Sequence, residues 1–503
     1  MPDYDYVVVG AGSAGCAVAA RLSEEPDTSV LLVEAGPRDR AKEIRIPAAF
    51  SKLFKSKFDW GFETTPQPGL DGRRIFFPRG KTLGGSSALN AQMYIPGHPA
   101  DFADWPEGWS WNEVRPYFER LDAGPCAVSP PRDPNPMTRA FLRAVAESGV
   151  AGESDLSFEH LDGAGLVRVT QRRGLRCSAA DAYLKPARRR GNLTVLTDAH
   201  TVKIELDGLR ATGLRYRHGR DEQVARSSRE LILCAGAIGS PQLLMLSGIG
   251  APDELQALGI ETRHELPAVG RNLQDHPMAI ALFDASGRDS LYAAEQPIQL
   301  LRLLLRRRGL LTSNVGEAAA FLRTREELDA PDLELIFGPV LYVEEGLVPP
   351  PAHGFSIASV ALQPRSRGSV RLRSADPLEP PDIDPAYLSD REDVRVLVEG
   401  TKIARRIARA GALEPWFAGE RAPREEVTSD ADLEAWVRQR THTIYHPVGT
   451  CAMGEVVDAE LRVRGIEALR VVDASVMPHL NRGHTHAPTT MVAERAAELV
   501  RAA

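Results

Sequence analysis

The chain of 503 residues has no uninterrupted apolar stretch near the roughly 20 residues that cross a bilayer. No transmembrane segment is therefore expected. Cysteines are few: Cys16, Cys126, Cys177, Cys234 and Cys451 are odd in number, scattered and without CxxC spacing. That pattern offers neither a disulfide framework nor a zinc or other metal site, and it fits a reducing, cytoplasmic setting. A surplus of positive charge is also missing: 61 Lys and Arg stand against 68 Asp and Glu, a formal net charge of −7. Composition thus gives no ground for nucleic-acid or anionic-membrane binding. The opening Met1-Pro2-Asp3-Tyr4-Asp5 carries no basic n-region and no cleavage site, so no export signal is expected. No internal repeat or low-complexity segment stands out, and nothing indicates an oligomeric state. What is present, 43% hydrophobic and 26% charged residues, is the composition of an ordinary globular protein.

The most informative stretch comes first. An apolar run, 6–9, reads as a buried strand and leads into Gly10-Ala11-Gly12-Ser13-Ala14-Gly15, a GxGxxG. Small, helix-compatible residues follow to Leu22, and a second apolar run, 30–33, ends at Glu34-Ala35. Strand, glycine turn, helix and strand make a dinucleotide-binding βαβ unit. Gly10 permits the turn, Gly12 lets a pyrophosphate approach, and Gly15 lets helix and strand pack. Glu34 stands about 20 residues on, where an acid grips a ribose hydroxyl. The motif fits a nicotinamide and a flavin dinucleotide equally well.

Residues 37–78 are rich in Pro, Gly and aromatics and read as extended, turn-rich chain. They lead to Arg79-Gly80-Lys81-Thr82-Leu83-Gly84-Gly85-Ser86-Ser87-Ala88-Leu89-Asn90. Such a stretch is either an exposed flexible loop or a loop whose backbone N–H groups lie against a flat ligand. Around 101–190, three tryptophans precede helix-like segments at 114–118 and 137–148, and Arg188 to Arg190 read as a solvated helix end. The α/β texture then returns. A short strand at 193–196 precedes a meander at 200–206, 211–217 and 223–227, and a buried strand at 231–236 leads into a helix ending near Leu246. From 280 to 440 the βαβ rhythm is absent. A leucine-rich helix at 298–306 and strands at 356–362 and 369–373 suggest an inserted domain on an antiparallel sheet. A strand at 469–473 and a helix at 489–501, opened by Pro488, close the chain.

Two histidine groups flank that last strand: Tyr445-His446-Pro447-Val448-Gly449-Thr450 and Asn481-Arg482-Gly483-His484-Thr485-His486-Ala487-Pro488. Both lie in Gly/Pro-shaped loops at the ends of core elements, where ligands bind on α/β sheets. Histidine is the side chain best suited to take a proton near neutrality. The helix after the second group directs its positive N-terminus there, which suits the negative charge a flavin gains on reduction and does nothing for a nicotinamide.

Over nearly its full length the chain resembles the glucose–methanol–choline (GMC) flavin oxidoreductases. The resemblance rests on 80–90, on Gly236-Ala237-Ile238-Gly239-Ser240-Pro241 with Ser247-Gly248-Ile249-Gly250, on 269–276 and on 472–478. It implies an α/β fold: a Rossmann-like FAD-binding domain with a doubly wound, discontinuous sheet (1–100, 191–279 and 441–503) and an α+β substrate domain (101–190 and 280–440). It implies that His446 is the base for the alcohol O–H and that His484 is the second catalytic position, with His486 a lesser candidate. FAD contacts are implied at Gly10, Gly12, Ser13, Ala14, Gly15, Glu34, Ala35, Arg79, Thr82, Leu83, Gly84, Gly85, Ser86 and Asn90, at Val202 through its backbone, and at Ala235, Gly236, Asp473, Ala474, His484 and Thr485. Leu89 stands where some members carry a histidine covalently bound to FAD, so non-covalent FAD is expected.

The implied reaction is oxidation of a primary alcohol to an aldehyde, with oxygen or a quinone-like acceptor restoring the flavin. Stretches at 311–314 and 364–368 are similar to choline-dehydrogenase-like alcohol dehydrogenases. His484, however, replaces the asparagine of choline enzymes, as in aryl-alcohol oxidases, and no cluster of acids and aromatics marks a quaternary-ammonium site. A neutral aromatic or long-chain alcohol is therefore expected. Hydroxynitrile-lyase chemistry on the same fold, and a non-catalytic flavin-binding module, are the competing readings.

Overall fold

The computed structural model describes residues 3–503. Continuous apolar runs become parallel strands buried on both faces, as expected where helices cover a sheet. Tyr4–Val9 pairs in parallel with Val30–Val33 on one side and with Asp221–Leu233 on the other. Leu193–Leu196 extends the sheet beyond Val30–Val33, and Leu469–Val471 pairs with the far side of Asp221–Leu233. The meander Ala199–Asp207, Arg210–His218 and Asp221–Leu233 is antiparallel.

The reading of 223–227 and 231–236 as separate strands needs correction. One strand, Asp221–Leu233, runs through both: its first half pairs with the meander and its second half with the parallel core. Its burial changes accordingly, from largely exposed to fully buried at Leu231 to Leu233. The polar residues between the two apolar runs imitate a break, but they face solvent on a continuing strand.

A second, wholly antiparallel sheet runs in the order Phe417–Ala422, Pro277–Ala285, Gly354–Ala361, Leu333–Gly338, Ala318–Leu322, Gly163–Leu166. Period-two alternation divides its faces. Ala279, Ala281, Phe283, Phe337, Phe355 and Ile357 pack in a core with Leu397, Ala404 and Ile407 of the helix Arg391–Ala408. Met278, Ile280 and Ala358 form a separate cluster on the opposite face, against which Ile336 packs. The expected strand at 369–373 is instead Ser369–Arg371, paired with Asp382–Asp384 in a separate ribbon.

Segment 101–190 feeds both cores. Trp105, Trp109 and Phe118 join the cluster under the parallel sheet, while Met137, Phe141 and Val145 join that of the antiparallel sheet. The last helix begins at His486 rather than after Pro488, which occupies its first turn. Proline is tolerated there because the first-turn N–H groups lack helical partners anyway. This helix, His486–Ala502, packs against Ser13–Leu22 and Trp111–Ala123. No helix among the described residues is long and apolar enough to cross a membrane.

Candidate active site

One long cavity runs between the two sheets. Its first end is built by glycines. Gly10 has φ +94°, and a Cβ there would lie 2.5 Å from the Cys234 carbonyl oxygen; one on Gly15 would lie 1.9 Å from the Gly10 oxygen. Neither contact is tolerable, so the turn and the helix packing both require glycine. The glycine-serine stretch is no free loop: a Cβ on Gly85 would lie 2.6 Å from the Gly12 Cα, so the two glycine segments touch.

Gly10, Gly12, Ser13, Ala14, Glu34 and Ala35 line this end. Glu34 is buried and accepts from the Ala11 and Gly36 N–H groups, each at 2.8 Å. Burial pushes its carboxyl up to about 7, against the pull of those two N–H bonds. Thr82, Leu83, Gly84, Gly15 and Val202 do not reach the wall. Thr82 donates to the Pro37 carbonyl at 2.7 Å, the Leu83 N–H to the same carbonyl, and the Gly84 N–H to that of Ala11 at 2.7 Å, so they fix the loop from behind. Val202 sits at an irregularity where Thr201 pairs with Tyr216 and Lys203 with Arg215, which leaves it outside the ladder beside the cavity residues His200 and Thr201.

Ala235, Gly236, Asp473 and Ala474 line the middle. Asp473 accepts from the Gly236 N–H at 2.8 Å and from Ser240 at 2.6 Å, and so ties the last strand to the helix Gly236–Leu246. The N-termini of three helices, Ser13–Leu22, Gly236–Leu246 and His486–Ala502, meet the cavity through Ser13, Gly236 and His486. Their unpaired N–H groups and positive dipole ends favour an anion. His486 bridges two of these helices: its Nδ1 lies 3.0 Å from Ser13 Oγ. Burial lowers its pKa to about 4.

Arg79, Ser86, Asn90, Thr485, His446 and His484 also line the cavity, as does Gly85 where it meets Gly12. Gln92 lines the same wall, yet neither its Oε1 nor its Nε2 has a hydrogen-bond partner among the described residues. A buried amide left unpaired is costly unless a ligand completes it. Glycine loops, convergent helix ends and this unpaired amide fit an elongated, anionic, hydrogen-bonding cofactor such as FAD. Leu89, also on the wall, offers no nucleophile for a covalent link.

His446 and His484 face one another with ring centroids 4.7 Å apart. Behind His446 lies a group without an assigned role in the sequence reading. His276 Nδ1 lies 2.9 Å from His446 Nδ1, and His276 Nε2 lies 3.0 Å from the Leu362 carbonyl. Burial lowers His276 to about 3, so its ring is neutral. A carbonyl can only accept, so His276 carries its proton on Nε2 and accepts at Nδ1. His446 must then donate through Nδ1–H, which leaves its Nε2 lone pair free. Burial, followed by His484, His276 and Arg79, holds His446 well below its ordinary value, so this ring is neutral too.

Asp275 holds the two backbones in place: Oδ1 accepts from the main-chain N–H of His446 at 2.6 Å and from that of His276 at 3.0 Å. Thr443 and Tyr387 donate to its other oxygen. Arg79 donates to the Tyr445 carbonyl at 2.6 Å and so holds the His446 loop. His484 has its own acid, Glu334, 3.1 Å from Nε2 and fully buried. Glu334 comes from the strand Leu333–Gly338 of the antiparallel sheet. Its one signal in the sequence is an acid inside the apolar run Leu333-Glu334-Leu335-Ile336-Phe337.

Family models described as GMC oxidoreductase match residues 4–278 and 364–493. An uncharacterised GMC-type oxidoreductase of Mycobacterium tuberculosis is 48% identical over 99% of both chains. The alcohol dehydrogenase [acceptor] of Pseudomonas putida is 41% identical over 99% of this chain and 95% of its own. Among solved structures, pyridoxine 4-oxidase from Mesorbium loti superposes with a TM-score of 0.89 at 34% identity, covering 99% of each chain.

Proposed function

The chain belongs to the GMC oxidoreductase family, and from that premise we propose that it is an FAD-dependent enzyme that oxidises a neutral primary alcohol to an aldehyde. The observation that carries the proposal is the hydrogen-bond chain Leu362–His276–His446, which leaves a basic nitrogen free at the cavity. FAD, held without a covalent bond, supplies the acceptor for the carbinol hydride, and oxygen or a quinone-like acceptor restores it.

The chain's own residues manage the proton. His446 Nε2 takes the hydroxyl proton, while Nδ1–H stays on His276 and fixes the ring. His484, its Nε2 held by Glu334, presents its other ring nitrogen to the substrate oxygen. Holding the alcohol hydroxyl against two fixed rings is a positioning effect that can contribute up to about 7–11 kcal/mol.

Substrate class follows from the wall. Phe50, Phe54, Met278, Ile280, Ile336 and Tyr342 line the cavity. The carboxylates that line it, Glu34 and Asp473, are both engaged with backbone N–H groups on the parallel-sheet side. A quaternary ammonium gains no free carboxylate here, whereas an aromatic or long-chain alcohol gains apolar contact. The test is anaerobic mixing of the holoenzyme with a panel of alcohols. Bleaching of the flavin by apolar primary alcohols supports the proposal; an unbleached flavin together with cyanohydrin cleavage replaces it with lyase chemistry.

A further inference from the structure

The helix Pro297–Arg306 turns its apolar side outward. Ile298, Leu301 and Leu305 recur at helical spacing, with Leu300 and Leu304 beside them, and all five are exposed; Leu304 is 59% and Leu305 74% accessible. The residues facing inward are Gln299 and Leu303, at 6% and 2%. Exposed leucines scattered singly are ordinary, but five on one face form a patch that normally marks a contact surface. Tyr292, just before the helix, and Leu347 and Val348 elsewhere are also exposed.

Charge identifies the occupant. Residues 296–311 contain Arg302, Arg306, Arg307 and Arg308 and no acid, in a chain whose net charge is −7. Arg302 and Arg306 fall on the helix between the exposed leucines and the buried Gln299 and Leu303, at the border of the apolar face. A two-fold contact that laid this helix parallel to its mate would set the same four arginines against each other, and an antiparallel one would leave them beside a segment, 296–311, that offers no acid. A lipid surface with anionic headgroups accepts both features: leucines enter the acyl boundary and arginines meet the phosphates. We propose that this helix docks the enzyme on an anionic membrane surface.

The location gives docking a consequence. After the helix, Leu310–Thr312 packs on Pro47–Leu53, which carries the cavity residue Phe50. Lys52 pairs with Glu295 at 2.7 Å across the same junction. The turn that follows the docking helix therefore adjoins the segment that carries Phe50 of the cavity wall. Delivery of an apolar alcohol from the bilayer rests on the function proposed above; docking itself does not.

The test is flotation of the FAD-loaded full chain with vesicles of phosphatidylcholine and phosphatidylglycerol in equal parts, and with phosphatidylcholine alone. The expected result is recovery with the anionic vesicles, weakened by salt. The double substitution Leu301→Asp/Leu305→Asp should lower it by about tenfold or more, with unchanged turnover of a water-soluble alcohol. Arg302→Gln/Arg306→Gln should weaken binding to anionic vesicles while keeping turnover. The proposal is overturned if the parent ignores anionic vesicles, if it binds neutral ones equally, or if Leu301→Asp/Leu305→Asp floats as the parent does. It is also overturned if the parent is a dimer that floats with neither vesicle and that substitution turns monomeric, since a second copy then covers the face.

Discussion

Replacing His276 with leucine removes the acceptor that fixes the His446 ring without touching the ring that takes the proton. The lost contact is a buried 2.9 Å bond between two ring nitrogens. When His446 accepts a proton its Nδ1–H becomes a cationic donor, and a hydrogen bond to a charged group is worth about 1.5–3 kcal/mol. With tenfold in rate for about 1.4 kcal/mol, flavin reduction should slow by about 10- to 100-fold. The assay is anaerobic stopped-flow reduction at saturating alcohol, with the visible flavin spectrum recorded first to show full FAD loading. His276→Asn keeps a carbonyl oxygen able to accept from Nδ1–H and should recover part of the rate. The reasoning is refuted if His276→Leu reduces its flavin at the parent rate, or if the asparagine variant, fully loaded, is as slow as the leucine variant.

Glu334→Gln keeps the shape beside His484 and removes the charge, so kcat should fall by about 10- to 100-fold with little change in FAD content, as judged by turnover and absorbance. Because burial and neighbouring charges hold His446 well below the ordinary histidine value, the base stays neutral well below pH 6.5. The rate of flavin reduction should therefore persist through that pH and fall only in more acid buffer; half-loss at or above 6.5 contradicts the assignment. Folded-state pKa values of about 3 for His276 and about 4 for His442 and His486 lie below the unfolded value of about 6.5. Between these values the unfolded chain binds more protons, so stability is fully present above about pH 6.5 and is lost as pH falls toward 4 and then 3. Thermal melts should show Tm falling over that window, and a flat Tm from pH 6.5 to 4 would sink the argument.

The sequence made the glycine end of the cavity legible because a tight turn, a close approach and a buried strand each demand particular residues in a row. Gly10, Gly12 and Gly15 lie where such reasoning puts them. The two facing histidines were also visible, each in a short loop of distinctive composition. Their supports were not, because His276 and Glu334 are brought to them by the antiparallel sheet across 170 and 150 residues of chain. Asp275 and His276 stood in a recognised block, but their partners depend on register between Pro277–Ala285 and His442–Thr443. Thr82, Leu83 and Gly84 belong to the cofactor loop and yet bind its back, a distinction that composition does not carry. In the helix Pro297–Arg306 the pattern shows two faces, but only the fold shows that the leucine-rich one is outside.

The central claim is that His446 is the base for alcohol oxidation, and His446→Ala tests it most directly. Anaerobic single-turnover reduction by the best alcohol is compared in parent and variant, with FAD content measured in both. The account predicts a full complement of FAD and a reduction rate lower by about 10²–10⁴. A fully loaded variant that is reduced at the parent rate would contradict it, and a variant purified without FAD would make His446 a structural residue.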